Sequence, residues 1–126
     1  MTGQELQEPT LRVVPRPMDI NFNGHIFGGW ILSQMDVAGG VVAARRCGGV
    51  VATVAIEGME FHKPILVGDW LSLYCDIVRV GRTSMSVKIE SLARRREGDE
   101  EVKVTEGLFI YVALGADGKP RPIDGG

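Results

Sequence analysis

The spacing of apolar and polar residues changes period once along this chain. Between Gly28 and Arg46, apolar side chains fall at Ile31, Leu32, Met35, Ala38, Val42 and Ala43. A helix face satisfies those offsets and a strand does not. Arg45 and Arg46 suit the negative end of a helix dipole, and Cys47-Gly48-Gly49 stops the segment. Beyond it the period falls to two. Val50–Phe61 is rich in β-branched residues, with a bulge expected at Gly58, and His62-Lys63-Pro64 ends it. Val67-Gly68-Asp69 makes a turn into Trp70–Val80, where Leu71, Leu73, Cys75 and Ile77 share one side. Gly81-Arg82 turns the chain into Thr83–Arg94, where Met85, Val87 and Ile89 alternate with polar residues. Arg94–Glu101 is charged and predicts a solvated hairpin tip with no further role; Val102–Leu114 is the last long strand. Ahead of the helix, Leu11–Val14 reads as a short strand stopped by Pro15 and Pro17. A polar loop follows, with Asn21, Asn23 and Gly24 as turn residues.

One long helix followed by consecutive strands implies an α+β fold, an antiparallel sheet packed on that helix. Gly39 and Gly40 each cost about 1 kcal/mol inside a helix, so they point to close approach of another backbone. A single helix leaves the other sheet face and the edge strands in need of cover, which a partner subunit would provide. The 126 residues fit one domain over 1–126, with 1–10 and 115–126 as loose tails.

Composition narrows the function classes. The net charge of −2 gives no reason to expect nucleic acid or an anionic membrane as partner. No run approaches the roughly 18 apolar residues of a membrane helix, and the polar start MTGQELQEPT lacks an apolar signal core. Cys47 and Cys75 lie far apart, without CxxC or histidine partners at metal spacing, so no metal is expected and both read as reduced thiols. The expectation is a soluble, cytoplasmic protein.

Several blocks carry a resemblance: N-x-N-G-H-I-F-G-G-W at 21–30, S-Q-M-D at 33–36, A-I-E-G-M-E-F at 55–61, G-R-T-S at 81–84 and F-I-Y-V-A-L…G-K-P at 109–120. Together they resemble the hotdog-fold acyl-CoA thioesterases, most closely the YciA-like group related to the cytosolic long-chain acyl-CoA hydrolases. The resemblance implies a five-stranded antiparallel sheet wrapped around one long central helix. It also implies a homodimer with active sites at the subunit interface, assembled as a trimer of dimers. Acyl-CoA is then the substrate, no separate cofactor is needed, and a helix carboxylate and a loop asparagine serve hydrolysis; these map onto Asp36 and Asn21. His25 departs from the pattern, standing where bacterial members carry an acid.

The residues support that chemistry on their own account. Asp36 lies in the middle of an apolar helix, where a charge needs a purpose or a partner. It can act as general base toward water or as a nucleophile forming an anhydride, and sequence leaves both open. Backbone N–H groups of Gly28 and Gly29, free at a helix start, suit the oxyanion of a thioester under attack. Gly29 and Asp36 are seven residues apart, roughly 10 Å along a helix at about 1.5 Å per residue. That span predicts a composite site, with Asn21, Gly28 and Gly29 from one chain and Asp36 from its mate; Asn21 would orient water or the carbonyl, or else serve as a plain turn residue. Lys63, Arg82, Thr83 and Ser84 are candidates for binding coenzyme A, against a plain surface role. Phe27 and Phe61, with Met35, Met59 and Met85, are candidates for lining an acyl tunnel, against ordinary core packing. Two rivals remain: a hotdog dehydratase or hydratase pairing His25 with Asp36, and an acyl-CoA-binding protein without catalysis.

Overall fold

The computed structural model describes residues 8–124, so the expected leader falls outside the described residues up to residue 7. Helix α1 (Gly28–Cys47) follows the apolar offsets, burying Trp30, Ile31, Met35, Ala38, Gly39, Ala43 and Cys47. It ends where glycine permits a left-handed residue: Gly48 has φ 74° and its N–H donates to the Ala44 carbonyl at 2.8 Å. Not all of the helix is covered, since Val37 is 57% and Val41 49% exposed. Among the described residues no helix is long and apolar enough to cross a membrane.

Five strands complete the fold: β1 (Leu11–Val13), β2 (Val51–Phe61), β3 (Trp70–Val80), β4 (Ser84–Arg94) and β5 (Glu101–Ala113). They form one antiparallel sheet in the order β1-β3-β4-β5-β2. Its inner face presents Leu71, Leu73, Met85, Val87, Ile89, Phe109 and Tyr111 to the helix, all essentially buried. The bulge expected at Gly58 is present, with φ 59° and a register slip between Glu57 and Glu60.

Four sequence expectations are corrected. The turn expected at Val67-Gly68-Asp69 does not join neighbouring strands: β2 pairs with β5, and residues 62–69 carry the chain from that edge across to β3. Ile65, 4% exposed, anchors the crossing in the core, and its carbonyl accepts the Ile26 N–H at 3.1 Å. Turn residues show where a strand stops but not which strand it pairs with. Second, the close approach at Gly39 is by side chains. A Cβ there would overlap the Tyr111 hydroxyl and lie 2.6 Å from Ile89 Cδ1. Third, the charged tip has a structural role, because Arg95 donates to the carboxylate of Asp69, which is 1% exposed and also accepts the Leu66 N–H. A buried carboxylate needs such a partner. Fourth, the tail is tied down over residues 115–124. Arg121 donates to the carbonyls of Leu114 and Cys47 at 3.1 and 2.9 Å, Arg46 pairs with Asp124, and Ile123 is buried.

Candidate active site

Two local arrangements carry the chemistry. The first is built on the middle of α1. Thr53 of β2 and Tyr111 of β5 are directly opposed in the ladder, so both side chains leave the sheet on the same face. Both reach Asp36: Thr53 donates to Oδ1 at 2.7 Å, and the Tyr111 hydroxyl donates to the same oxygen at 3.0 Å and to the Asp36 backbone carbonyl at 3.1 Å. Among the described residues nothing donates to Oδ2. Burial first, then the neighbouring Asp36 charge and hydrogen bond, raise the Tyr111 phenol well above its ordinary range. Tyr111 therefore remains a proton donor and fixes the carboxylate through one oxygen. Gly39, three residues on, supplies the gap that the hydroxyl occupies.

The sequence reading missed Thr53 and Tyr111. Tyr111 had a signal: it shares the core parity of Phe109 and Ala113, where a hydroxyl demands a partner. Thr53 had none, because its role depends on the β2–β5 pairing.

The second arrangement surrounds the start of α1. Asn21 Oδ1 accepts the N–H groups of Asn23 at 2.9 Å and His25 at 3.2 Å, while the Asn21 N–H donates to the His25 carbonyl at 2.7 Å. Asn21 is thus the residue whose side chain closes the turn. With Oδ1 occupied, Nδ2 is the polar group that the Asn21 side chain has left to offer a ligand. Asp19 fixes the loop from below: its carboxylate accepts from Arg16, which holds it below the usual carboxylate range, and its carbonyl accepts the Phe27 N–H. Phe27 caps the helix without a side-chain hydrogen bond, so the first N–H groups have no side-chain competitor for an incoming carbonyl.

A pocket of about 270 Å³ opens here, lined in part by Asn21, His25, Gly28, Phe61, Lys63 and Thr105. A Cβ on Gly28 would stand 3.2 Å from the Phe61 ring, and one on Gly29 3.5 Å from Phe27. Glycine therefore keeps this helix start open to a ligand.

Asn21, Gly28, Phe61 and Lys63 line this one pocket, with Gly29 and Phe27 beside them. Asp36 stands apart from them within one chain. Eight residues separate it from Gly28, about 12 Å of helix. Arg82, Thr83 and Ser84 lie at the opposite end of the sheet, where Ser84 pairs with Val112, whereas Phe61 pairs with Thr105. Those two β5 positions are seven residues apart, roughly 24 Å at about 3.4 Å per residue. His25 and Asp36 share no hydrogen bond among the described residues. Met35 and Met85 are fully buried in the core. One group of possible metal ligands, Glu60, His62 and Glu106, lies within 4.8 Å. The Lys103 ammonium already stands 3.6 Å from Glu106.

Residues 23–98 match the thioesterase superfamily. The chain belongs to that superfamily. It is 45% identical over 119 residues to the acyl-CoA thioester hydrolase YciA of Salmonella typhimurium, covering 92% of this chain and 90% of the relative. The hexameric thioesterase y2039 from Yersinia pestis superposes with a TM-score of 0.89 at 40% identity, over 95% of this chain and 98% of that one. Cj0915 of Campylobacter jejuni, a hexameric hotdog-fold thioesterase, gives 0.89 and 40% over 95% and 92%. The five-stranded sheet around a single long helix is accordingly the hotdog fold of this superfamily.

Proposed function

We propose that this thioesterase hydrolyses acyl-CoA to a carboxylic acid and free coenzyme A. The observation that carries the mechanism is the Asp36 carboxylate, held through Oδ1 by Thr53 and Tyr111, with no donor to Oδ2 among the described residues. Oδ2 takes a proton from water as the water attacks the thioester carbonyl, and the N–H groups of Gly28 and Gly29 receive the oxyanion. Collapse expels the coenzyme A thiolate, which takes up the proton. The Asn21 Nδ2 donor orients the carbonyl or the water.

The separation of Asp36 from the loop pocket supports a site shared between two chains. Strand β2 is an open edge of 11 residues carrying exposed Val54, Ile56 and Phe61. A two-fold axis through it pairs β2 with its copy antiparallel, burying these residues along with Val37 and Val41. The Thr53 end of one strand then meets the Phe61 end of the other, so Asp36 faces its mate's Gly28 pocket. The same operation brings the Arg82-Thr83-Ser84 turn to the end where the mate's Lys63 lies, which suits the phosphates of coenzyme A. A trimer of such dimers accords with the hexameric relatives.

Thiol release across acyl-CoA chain lengths tests the reading, with Asp36→Ala as control. The variant should lose about 10²–10⁴-fold in rate; undiminished hydrolysis by it would end the proposed mechanism. Crotonyl-CoA separates the hydratase reading, since hydration removes enoyl absorbance without releasing thiol.

A further inference from the structure

One row of side chains crosses the inner face of the sheet beneath the start of α1. The strand register aligns Leu11 with Leu73, Leu73 with Ser91, Ser91 with Thr105, and Thr105 with Phe61. The ends of the row are apolar and its two central members are hydroxyls. Ser91 and Thr105 are both 0% exposed, and neither hydroxyl has a hydrogen-bond partner among the described residues. Ser72 is paired with Arg12, Asp69 with Arg95 and Asp19 with Arg16, and the one further unpaired buried side-chain atom among the described residues, Arg94 Nε, lies outside this row. Buried hydroxyls are normally satisfied, and leaving one unpaired is unfavourable. Because Ser91 and Thr105 are themselves sealed within their own chain, a second subunit packed on the surface does not supply the missing bonds.

What reaches the row is the loop pocket, of which Thr105 is a wall. Phe61 lies beside Thr105 in the register and its ring rests over Gly28. An acyl group whose carbonyl sits on the Gly28 N–H therefore runs its chain past Phe61 toward Thr105. Phe61 ends its strand and its ring packs on a residue without a side chain, Gly28, so the ring can turn aside and uncover the hydroxyl.

We propose that the Thr105 hydroxyl, with that of Ser91 beside it on the neighbouring strand, forms the floor of the acyl subsite and selects acyl-CoA substrates bearing a neutral oxygen, a hydroxyl or a keto group, on the acyl chain. The proposal rests on the thioesterase reading above and names its substrate class. A hydroxyl both donates and accepts, so either oxygen function satisfies it. A plain alkyl chain leaves both hydroxyls unpaired, and sites built to hydrogen-bond a substrate oxygen discriminate strongly against analogues lacking it.

The test is the ratio of kcat/KM for 3-hydroxybutanoyl-CoA over butanoyl-CoA, and for the matching hexanoyl pair, read by thiol release. The ratio should exceed one in the native protein and fall about tenfold in Thr105→Val, which keeps the shape and removes the hydroxyl. Thr105→Ser should retain it, and Ser91→Ala should lower it; this smaller change reads the same ratio if Thr105→Val does not fold. Thiol release with a ratio at or below one in the native protein, or unchanged in Thr105→Val and Ser91→Ala, overturns the proposal and assigns the hydroxyls to a trapped water. Absence of thiol release from every acyl-CoA would instead overturn the enzyme reading itself.

Discussion

At the scale of single residues, the site rests on hydrogen bonds that assign each polar group one job. Asp36 was legible because a charge in an apolar helix asks for an explanation, and Gly28 and Gly29 because they open a helix start. What Asp36 bonds to was not legible, since Thr53 comes from a strand whose pairing the sequence did not reveal. Asn21 was found for its likeness to a family asparagine, yet its Oδ1 is spent on the turn. Titration at this scale has a direct test in Glu106. Its hydrogen bond from His62 at 2.7 Å, aided by Lys103 against a desolvation penalty, lowers its pKa below the ordinary 4.5. A group with a lowered folded pKa stabilises the protein above its unfolded value, and that contribution disappears as pH falls through the folded one. Thermal midpoints should therefore decline below pH 4.5 in the native protein. In Glu106→Gln the decline over the same range should be shallower.

At the scale of elements, the helix was the most legible part and its crowding the most informative. Gly39 faces Tyr111 and Ile89 at distances no Cβ tolerates. Alanine there would gain about 1 kcal/mol of helix propensity but force Tyr111 away from Asp36. Overpacking of this kind costs about 1–3 kcal/mol, and the displaced hydroxyl no longer fixes the carboxylate. Gly39→Ala should thus be no more stable than the native protein by thermal unfolding, and slower in thiol release by about tenfold or more. A faster or equal rate would mean that Tyr111 does not position the acid. The strands themselves were legible from their period of two, their order was not. Alternation reports which face is buried, and β2 alternates in the same way whether it pairs with β3 or with β5. The C-terminal segment misled for a similar reason. Its glycine- and proline-rich composition reads as loop, and loop it is, but Arg121 and Ile123 hold it against the helix end through contacts that composition does not encode.

At the scale of the molecule, one chain holds two half-sites that do not meet. The loop pocket offers donors without an acid, and Asp36 offers an acid with no open helix start beside it. In the proposed dimer two copies related through β2 unite the halves, which makes a quantitative prediction for mixed assemblies. Asn21→Asp is the suitable lesion in the loop, because it keeps the Oδ1 acceptor that closes the turn and removes the Nδ2 donor. Asp36→Ala is its complement. Each variant alone should be nearly inactive, since both of its sites carry the lesion. Refolded together in equal amounts, half of the dimers pair one of each, and each such dimer has one doubly damaged site and one intact site, restoring about one quarter of native activity. A site formed within a single chain predicts no recovery at any mixing ratio. Recovery should also require exchange of subunits, so mixing the two folded variants without denaturation should restore activity only as slowly as the dimers dissociate. Fast recovery on simple mixing would place the shared boundary between dimers rather than along β2.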